Sequence, residues 1–252
     1  MIQVKNLNKA YGDVRVVNQV SFNLPASGVT SIIGPNGAGK STLLGLMSRL
    51  QKPDSGQILV DHLDVHACDD RELARHLAIL RQENQIATRL SVTDLVGFGR
   101  YPHSRGRLNQ EDQQKIAESL RFLGLEELGH RYLDELSGGQ RQRAYIAMVL
   151  CQDTRYLLLD EPLNNLDMQH AVSIMKLLRR AADEMGKTVL LVLHDINFAS
   201  YYSDRILAMK AGHLAYQGDV EQVLTPEIMK DLYQLDMSIQ TQNGKPFAYY
   251  YG

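Results

Sequence analysis

The sequence predicts an α/β fold with a buried core sheet, an N-terminal antiparallel β subdomain and a helical subdomain inserted in the middle. Three observations point there. Residues 156–159 and 188–193 are short, continuous apolar runs of the kind found in parallel sheets covered on both faces. Residues 2–7 and 16–24 instead alternate apolar with polar, as half-buried antiparallel strands do. Between these two regions the periodicity is mainly helical.

Taken in order, the first two strands are separated by the turn-like Tyr11-Gly12-Asp13. Residues 29–33 form a β-rich apolar run, 34–39 a glycine-rich loop, and 40–50 have helical apolar spacing, giving strand, loop and helix. Residues 77–80 are a further short strand. Over 109–123, Ile116, Leu120 and Leu123 share a helical face, Asn109 is the N-cap, and Glu111 and Asp112 place negative charge in the first turn. Ser137 caps a helix running to about residue 150. A helix over 168–185 ends at Gly186 and separates the two apolar strands. Residues 205–209 and 213–217 flank Ala211-Gly212 as a hairpin, Thr225-Pro226-Glu227 starts a helix, and Asn243-Gly244 marks another turn.

Composition narrows the function. With 27 Lys+Arg against 29 Asp+Glu, the formal charge of −2 gives no electrostatic footprint for a nucleic-acid duplex, so none is expected as a partner. Cys68 and Cys151 have no metal-ligand spacing and suggest free thiols in a reducing compartment. Met1-Ile2-Gln3-Val4-Lys5 opens without a charged region followed by an apolar stretch, so no signal peptide is expected. The most apolar segments are far shorter than the ~20 residues a membrane-spanning helix needs. Any membrane role is therefore expected to come through a partner.

Chemistry enters at Gly34-Pro35-Asn36-Gly37-Ala38-Gly39-Lys40-Ser41, followed by Thr42. This is the G-x-x-x-x-G-K-[ST] phosphate loop, whose glycines let backbone N–H groups converge on phosphate oxygens ahead of a helix's positive end. Lys40 is expected to neutralise β- and γ-phosphate charge and Ser41 to ligate Mg²⁺ of MgATP. Asp160-Glu161 closes the apolar run 157–159, which suits Asp160 to holding the metal and Glu161 to acting as general base toward water. Leu136-Ser137-Gly138-Gly139-Gln140 supplies a second serine-capped, glycine-rich helix start, hence a second anion site in one chain.

Leu136 to Gln140 resembles the signature motif of ABC ATPases, in which one subunit's serine and glycines close over the γ-phosphate held by the other. The resemblance extends across nearly the whole chain. It implies that Tyr11 stacks on adenine, that Gln82 is the glutamine of the Q-loop and reaches the metal, that Asn164-Asn165-Leu166-Asp167 is the D-loop, and that His194 contacts γ-phosphate. Asn164-Asn165 departs from the commoner Ser-Ala wording there. Leu80-Arg81-Gln82-Glu83-Asn84, Val96-Gly97-Phe98-Gly99-Arg100-Tyr101-Pro102-His103 and the stretch from Leu159 to Met168 are similar to the ATPase subunits of iron–siderophore importers, within the iron-chelate, haem and cobalamin uptake group.

The expectation is therefore a P-loop NTPase core of ABC ATPase type. Residues 1–84 and 154–252 form the nucleotide-binding core with its β subdomain, and 85–153 form the helical signature subdomain. The likeness implies an ATPase at the cytoplasmic face of the inner membrane. Its expected partners are a second copy closing head-to-tail on two MgATP, integral-membrane permease subunits and, indirectly, a substrate-binding protein. Haem, cobalamin or an exported compound remain alternative cargoes, and a soluble nucleic-acid-linked ABC ATPase an alternative class. The residues 98–103 admit two readings: a permease-facing segment, or a turn shaped by Gly97, Gly99 and Pro102 with Tyr101 packed against it.

Overall fold

The computed structural model describes residues 1–82 and 88–250. Glu83, Asn84 and Gln85, where the Q-loop wording ends and the expected helical subdomain begins, lie outside the described residues.

Strands β1 (Ile2–Tyr11) and β2 (Val14–Leu24) pair antiparallel across the Gly12-Asp13 turn. The chain crosses into a second sheet as β3 (Gly28–Ile33), passes through the glycine loop into α1 (Lys40–Met47), and returns as β4 (Ser55–Val60) and β5 (Leu63–Asp64). The first sheet thus runs β2-β1-β4-β5. Helix α1 is shorter than the sequence predicts. The Ser48 hydroxyl donates back to the Leu44 and Gly45 carbonyls (2.9 and 3.2 Å), and Arg49 adopts φ +63°, turning the chain out of the helix.

Helix α2 (Asp70–His76) is capped by the Asp69 carboxylate and leads into β6 (Leu77–Leu80). The middle region is helical as expected: α3 (Val92–Phe98), the single turn α4 (Tyr101–Ser104), α5 (Gln110–Phe122) and α6 (Gly138–Cys151). Asn109 caps α5 by accepting the Asp112 amide (2.9 Å). Alternation then returns with β7 (Tyr156–Asp160), α7 (Met168–Met185), β8 (Thr188–Val192) and α8 (Ile196–Tyr202). After the hairpin β9 (Arg205–Lys210) and β10 (His213–Asp219) come α9 (Val220–Val223), α10 (Pro226–Tyr233) and the hairpin β11 (Ser238–Gln242)–β12 (Lys245–Tyr249). Asn243 and Gly244 turn that last hairpin with φ +52° and +75°, the pair of positive angles a two-residue loop requires.

The second sheet has the order β10-β9-β3-β8-β7-β6, parallel throughout except for the edge strand β10. Its side chains alternate between two cores. Ile32, Tyr156, Leu158, Leu190, Val192, Leu207 and Met209 face α1 and the antiparallel sheet. Ile33, Leu157, Leu159, Val189, Leu191 and Ile206 face the other helices. That second core continues without a break into Val92, Leu95, Ile116, Leu120 and Ile146 of the helical region. Burial on both faces is why these strands read as unbroken apolar runs.

The segment 97–103 differs from the expected turn. Gly97 lies within α3, and Gly99 ends that helix where a methyl group would overlap the Met148 carbonyl oxygen. Arg100 is buried: its Nε donates to Asp112 Oδ1 (2.9 Å) and its Nη1 to the Cys151 carbonyl (3.0 Å). Tyr101 does not pack inward, since 64% of it is exposed. Among the described residues, no helix is long and apolar enough to cross a membrane.

Candidate functional site

Three adjacent parallel strands deliver the site, at the carboxyl ends where open α/β sheets place ligands. In register, Val192 of β8 aligns with both Ile32 of β3 and Asp160 of β7. The glycine loop, the Asp160-Glu161 pair and His194 therefore leave the sheet side by side.

Loop geometry fits an anion. Gly34, Gly37 and Gly39 adopt φ of +142°, +76° and +98°. A methyl on Gly34 would overlap the Met209 carbonyl oxygen, and one on Gly39 the Val16 carbonyl oxygen, so both must be glycine. Helix α1 starts from Gly39 with no side-chain cap and no acidic residue in its first turn. Its leading N–H groups thus lack the protein partner that helix starts ordinarily carry. Lys40 is buried and lies back over the loop, donating from Nζ to the carbonyls of Gly34 (2.8 Å) and Pro35 (3.0 Å). Burial holds its ammonium below the usual lysine range, against the pull of Glu161 and Asp160. Asn36 and Gly37 are exposed at the loop's tip, Ala38 is buried, and Thr42 follows in the first turn of α1.

Ser41 Oγ donates to Asp160 Oδ1 at 2.9 Å. Burial pushes the Asp160 carboxyl above the ordinary carboxylate range, although the Ser41 hydroxyl works the other way. Glu161, at φ +49°, gathers three groups: Gln82 Nε2 donates to its Oε2 (2.8 Å), the Asn164 amide donates to the same oxygen, and His194 Nε2 lies 2.6 Å from Oε1. Gln82 and His194 thus meet on one carboxylate from strands β6 and β8 on either side of β7.

The other predicted residues sit apart from that cluster. Tyr11 is half exposed at the end of β1, its hydroxyl donating to Gln51 Oε1 (2.6 Å). Ser137 caps α6 in a reciprocal box: Ser137 Oγ accepts the Gln140 amide (3.3 Å), and Gln140 Oε1 accepts the Ser137 amide (3.0 Å). Gly138 lines a cleft of about 830 Å³ shared with Gln82 and Glu161. Asp167 caps α7 and accepts both the backbone N–H and Nδ1 of His170 (2.8 Å each).

Two contacts escape the sequence reading. Tyr233, the last residue of α10, accepts the Gly34 N–H (3.0 Å) and braces the loop, and burial raises its phenol to about 12. His170 packs its ring against Gly139. Neither carries a local motif. Each is a long-range contact.

A glycine phosphate loop and a strand-end carboxylate pair on one parallel sheet, with a second glycine-rich helix start in the helical region, define a nucleoside triphosphatase of the P-loop class. The chain belongs to the ABC transporter family, whose sequence profile matches residues 17–164. It is an ATP-binding subunit and an ATPase of that type. Over 251 residues, all of both chains, it is 50% identical to the petrobactin import ATP-binding protein YclP of Bacillus subtilis (strain 168). It is 52% identical to the petrobactin import ATP-binding protein FatE of Bacillus anthracis, across 99% of this chain and 100% of that one. In structure it is similar to an inward-facing metal-chelate type ABC transporter, with a TM-score of 0.86 at 27% identity over 99% of this chain and 95% of the other. A dimeric, post-hydrolysis ATP-binding cassette bound to ADP and Pi gives 0.77 at 32% identity over 87% and 98%. ATP-binding subunits of ABC importers work as dimers with membrane permeases.

Proposed function

We propose that this chain is the motor of an iron–siderophore importer: two copies close head-to-tail on two MgATP at the cytoplasmic face of the inner membrane and drive separate permease subunits. The gathering of Gln82, Asn164 and His194 on Glu161, beside the Ser41–Asp160 contact, carries the catalytic part. The cargo rests on the relatives, which are named for petrobactin import.

In this reading the loop 34–42 wraps the phosphates, with Lys40 and backbone N–H groups beyond Pro35 as the donors, since Pro35 has no N–H and that of Gly34 goes to Tyr233; Tyr11 stacks on adenine, and Ser137, Gly138, Gly139, Gln140 and Asp167 close on the nucleotide of the second copy. Ser41, Asp160 and Gln82 would hold Mg²⁺. The fit is chemically sound: hydroxyl, carboxylate and amide oxygens are the hard donors that ion takes, and Ser41 and Asp160 already meet. Among the described residues no group of three or more His, Cys, Asp or Glu side chains could hold a metal alone, so phosphate oxygens and water must complete the shell. The ion would neutralise charge between the phosphates. Glu161 takes the proton of the attacking water, His194 orients that carboxylate and reaches the γ-phosphate, and Gln82 leaves Glu161 when phosphate arrives. Hydrolysis then depends on positioning and charge stabilisation rather than on covalent help.

We divide the chain as the sequence suggests, with 85–153 the moving helical subdomain between core segments 1–84 and 154–252. Uptake of radiolabelled ferric chelates tests the whole reading in cells lacking this subunit. Wild type should restore uptake and Lys40→Ala should not. Undiminished uptake of every ferric chelate in the deletion strain, with no other ATPase able to substitute, would refute the cargo.

A further inference from the structure

The C-terminal segment that starts with α10 takes no step in the chemistry above, yet it reaches both edges of the site. Its first contact is with the phosphate loop. Helix α10 is anchored on the β9–β10 hairpin: Lys210 Nζ donates to the Asp231 carbonyl (2.8 Å) and to Asp231 Oδ1 (2.6 Å), and the Tyr216 hydroxyl donates to Asp231 Oδ2 (3.2 Å). Met209, the residue before Lys210, presents the carbonyl oxygen that a methyl group on Gly34 would overlap. Gly34 is thus enclosed between β9 and α10. Its N–H goes to the Tyr233 hydroxyl (3.0 Å) and its carbonyl takes the Lys40 ammonium (2.8 Å). Both peptides that meet at Gly34 are therefore held, which sets the loop's entry angle of φ +142° before phosphate arrives.

The far end of the segment holds α8, the helix that follows His194. Asp195 caps that helix by accepting the Asn197 and Phe198 N–H groups (2.8 and 3.0 Å). Helix α8 packs most closely on β12, and the Asn197 side chain pairs with β12 as a neighbouring strand would. Its Nδ2 donates to the Ala248 carbonyl (3.2 Å) and its Oδ1 accepts the Ala248 N–H (2.8 Å). One turn on, the buried Ser200 hydroxyl donates to the Pro246 carbonyl. The backbone of His194 runs from the end of β8, where the Leu193 N–H donates to the Ile32 carbonyl (3.1 Å), into the cap of α8. The seat of α8 on β12 therefore sets where the imidazole meets Glu161.

We propose that the C-terminal segment is a two-ended brace of the catalytic site: Tyr233 is a positioning residue for the phosphate loop, and Asn197, through the last strand, is a positioning residue for His194. This rests on the reading of residues 34–42 as the phosphate loop and of His194 as the group that orients Glu161. Every residue of the brace belongs to the core segments 1–84 and 154–252, so the helical subdomain stays free to move against the core. The two ends act on different steps. The loop holds phosphate in ground state and transition state alike, whereas His194 acts on the base that activates water, so loosening the first weakens binding and loosening the second slows turnover.

The test is a split between KM and kcat in the full-length subunit. Tyr233→Phe keeps the ring and removes the hydroxyl. It should raise KM and Kd for MgATP about fivefold, the net worth of one neutral hydrogen bond, and leave kcat within about twofold. Asn197→Leu keeps the volume and removes both bonds to Ala248. It should lower kcat about ten- to a hundredfold, as displaced catalytic groups do, and leave KM within about twofold. A general loosening of the fold would move both constants together in both variants; that result, or no change in either constant, overturns the brace. Because Asn197 acts through His194, Asn197→Leu should add less than about twofold to the loss in His194→Ala, and a full additional loss would show that it acts elsewhere. Should Asn197→Leu not fold, Ser200→Ala removes the neighbouring hold on Pro246, and a kcat within about twofold of wild type there overturns the His194 end. Lys40→Ala is the control for the underlying reading: MgATP binding as tight as in wild type would overturn the phosphate loop, and this inference with it.

Discussion

Replacing Glu161 by glutamine separates binding from chemistry at this site. The carboxylate accepts Gln82 and Asn164 on Oε2 and meets His194 Nε2 at Oε1. A glutamine in the same rotamer places its amide oxygen at the Oε2 position and keeps both amide donors. Its NH₂ then faces His194 Nε2, which accepts in the neutral tautomer protonated on Nδ1. The loss is the difference between charged and neutral hydrogen bonds, about 1 kcal/mol of stability. Turnover is a different matter, because a positioned general base contributes about 10²–10⁴-fold, equivalent to about 3–5 kcal/mol of barrier. The variant should therefore fold, bind MgATP and dimerise, while hydrolysis falls by at least about a hundredfold. Phosphate release, light scattering with ATP and a thermal melt together check this. Turnover within about threefold of wild type would show that Glu161 is not the base.

Three further outcomes follow from the same geometry. Mixing Lys40→Ala with Ser137→Arg subunits should restore hydrolysis that neither variant has alone, measured as phosphate release in purified heterodimers, because one composite site carries both lesions and the other none. Arg100→Leu strands the buried Asp112 carboxylate and should cost about 3–5 kcal/mol in urea unfolding at pH 7. Burial alone would raise Asp112, but the Asn109 N–H and Arg100 outweigh it and hold its carboxyl below the usual range. The wild-type stabilisation is present above the unfolded carboxylate pKa and fades as pH falls through the lower folded one. The deficit of Arg100→Leu should therefore shrink as the pH falls below about 4, through the unfolded carboxylate pKa toward the lower folded one, and a deficit constant with pH would refute the assignment. Tyr101→Ala removes an exposed ring, so stability should change by less than about 0.5 kcal/mol and basal ATPase not at all. Permease stimulation and ferric-chelate uptake should fall. Full uptake would return Tyr101 to an ordinary surface role.

What the sequence by itself determined is everything set within a few residues. The glycine loop and the start of its helix, the caps at Asn109, Ser137 and Thr225, the stop at Gly186 and the Asn243-Gly244 turn all depend on local backbone angles and nearby donors, and each stands where the residues placed it. Strands 156–159 and 188–193 were legible because burial on both faces leaves a continuous apolar run. Strands β4 and β5 were not, since β4 opens on Ser55-Gly56-Gln57 and β5 has only two residues, too little for a period of two. Only the tertiary structure decided which distant residues share an atom. It placed Gln82 and His194 on one carboxylate, turned Arg100 inward to Asp112 while leaving Tyr101 outside, braced Gly34 on Tyr233, and set the His170 ring against Gly139. Strand order and helix packing fix those meetings. Neither is encoded in the spacing of neighbouring residues, because a side chain's sequence neighbours set its backbone angles but not which element packs across from it.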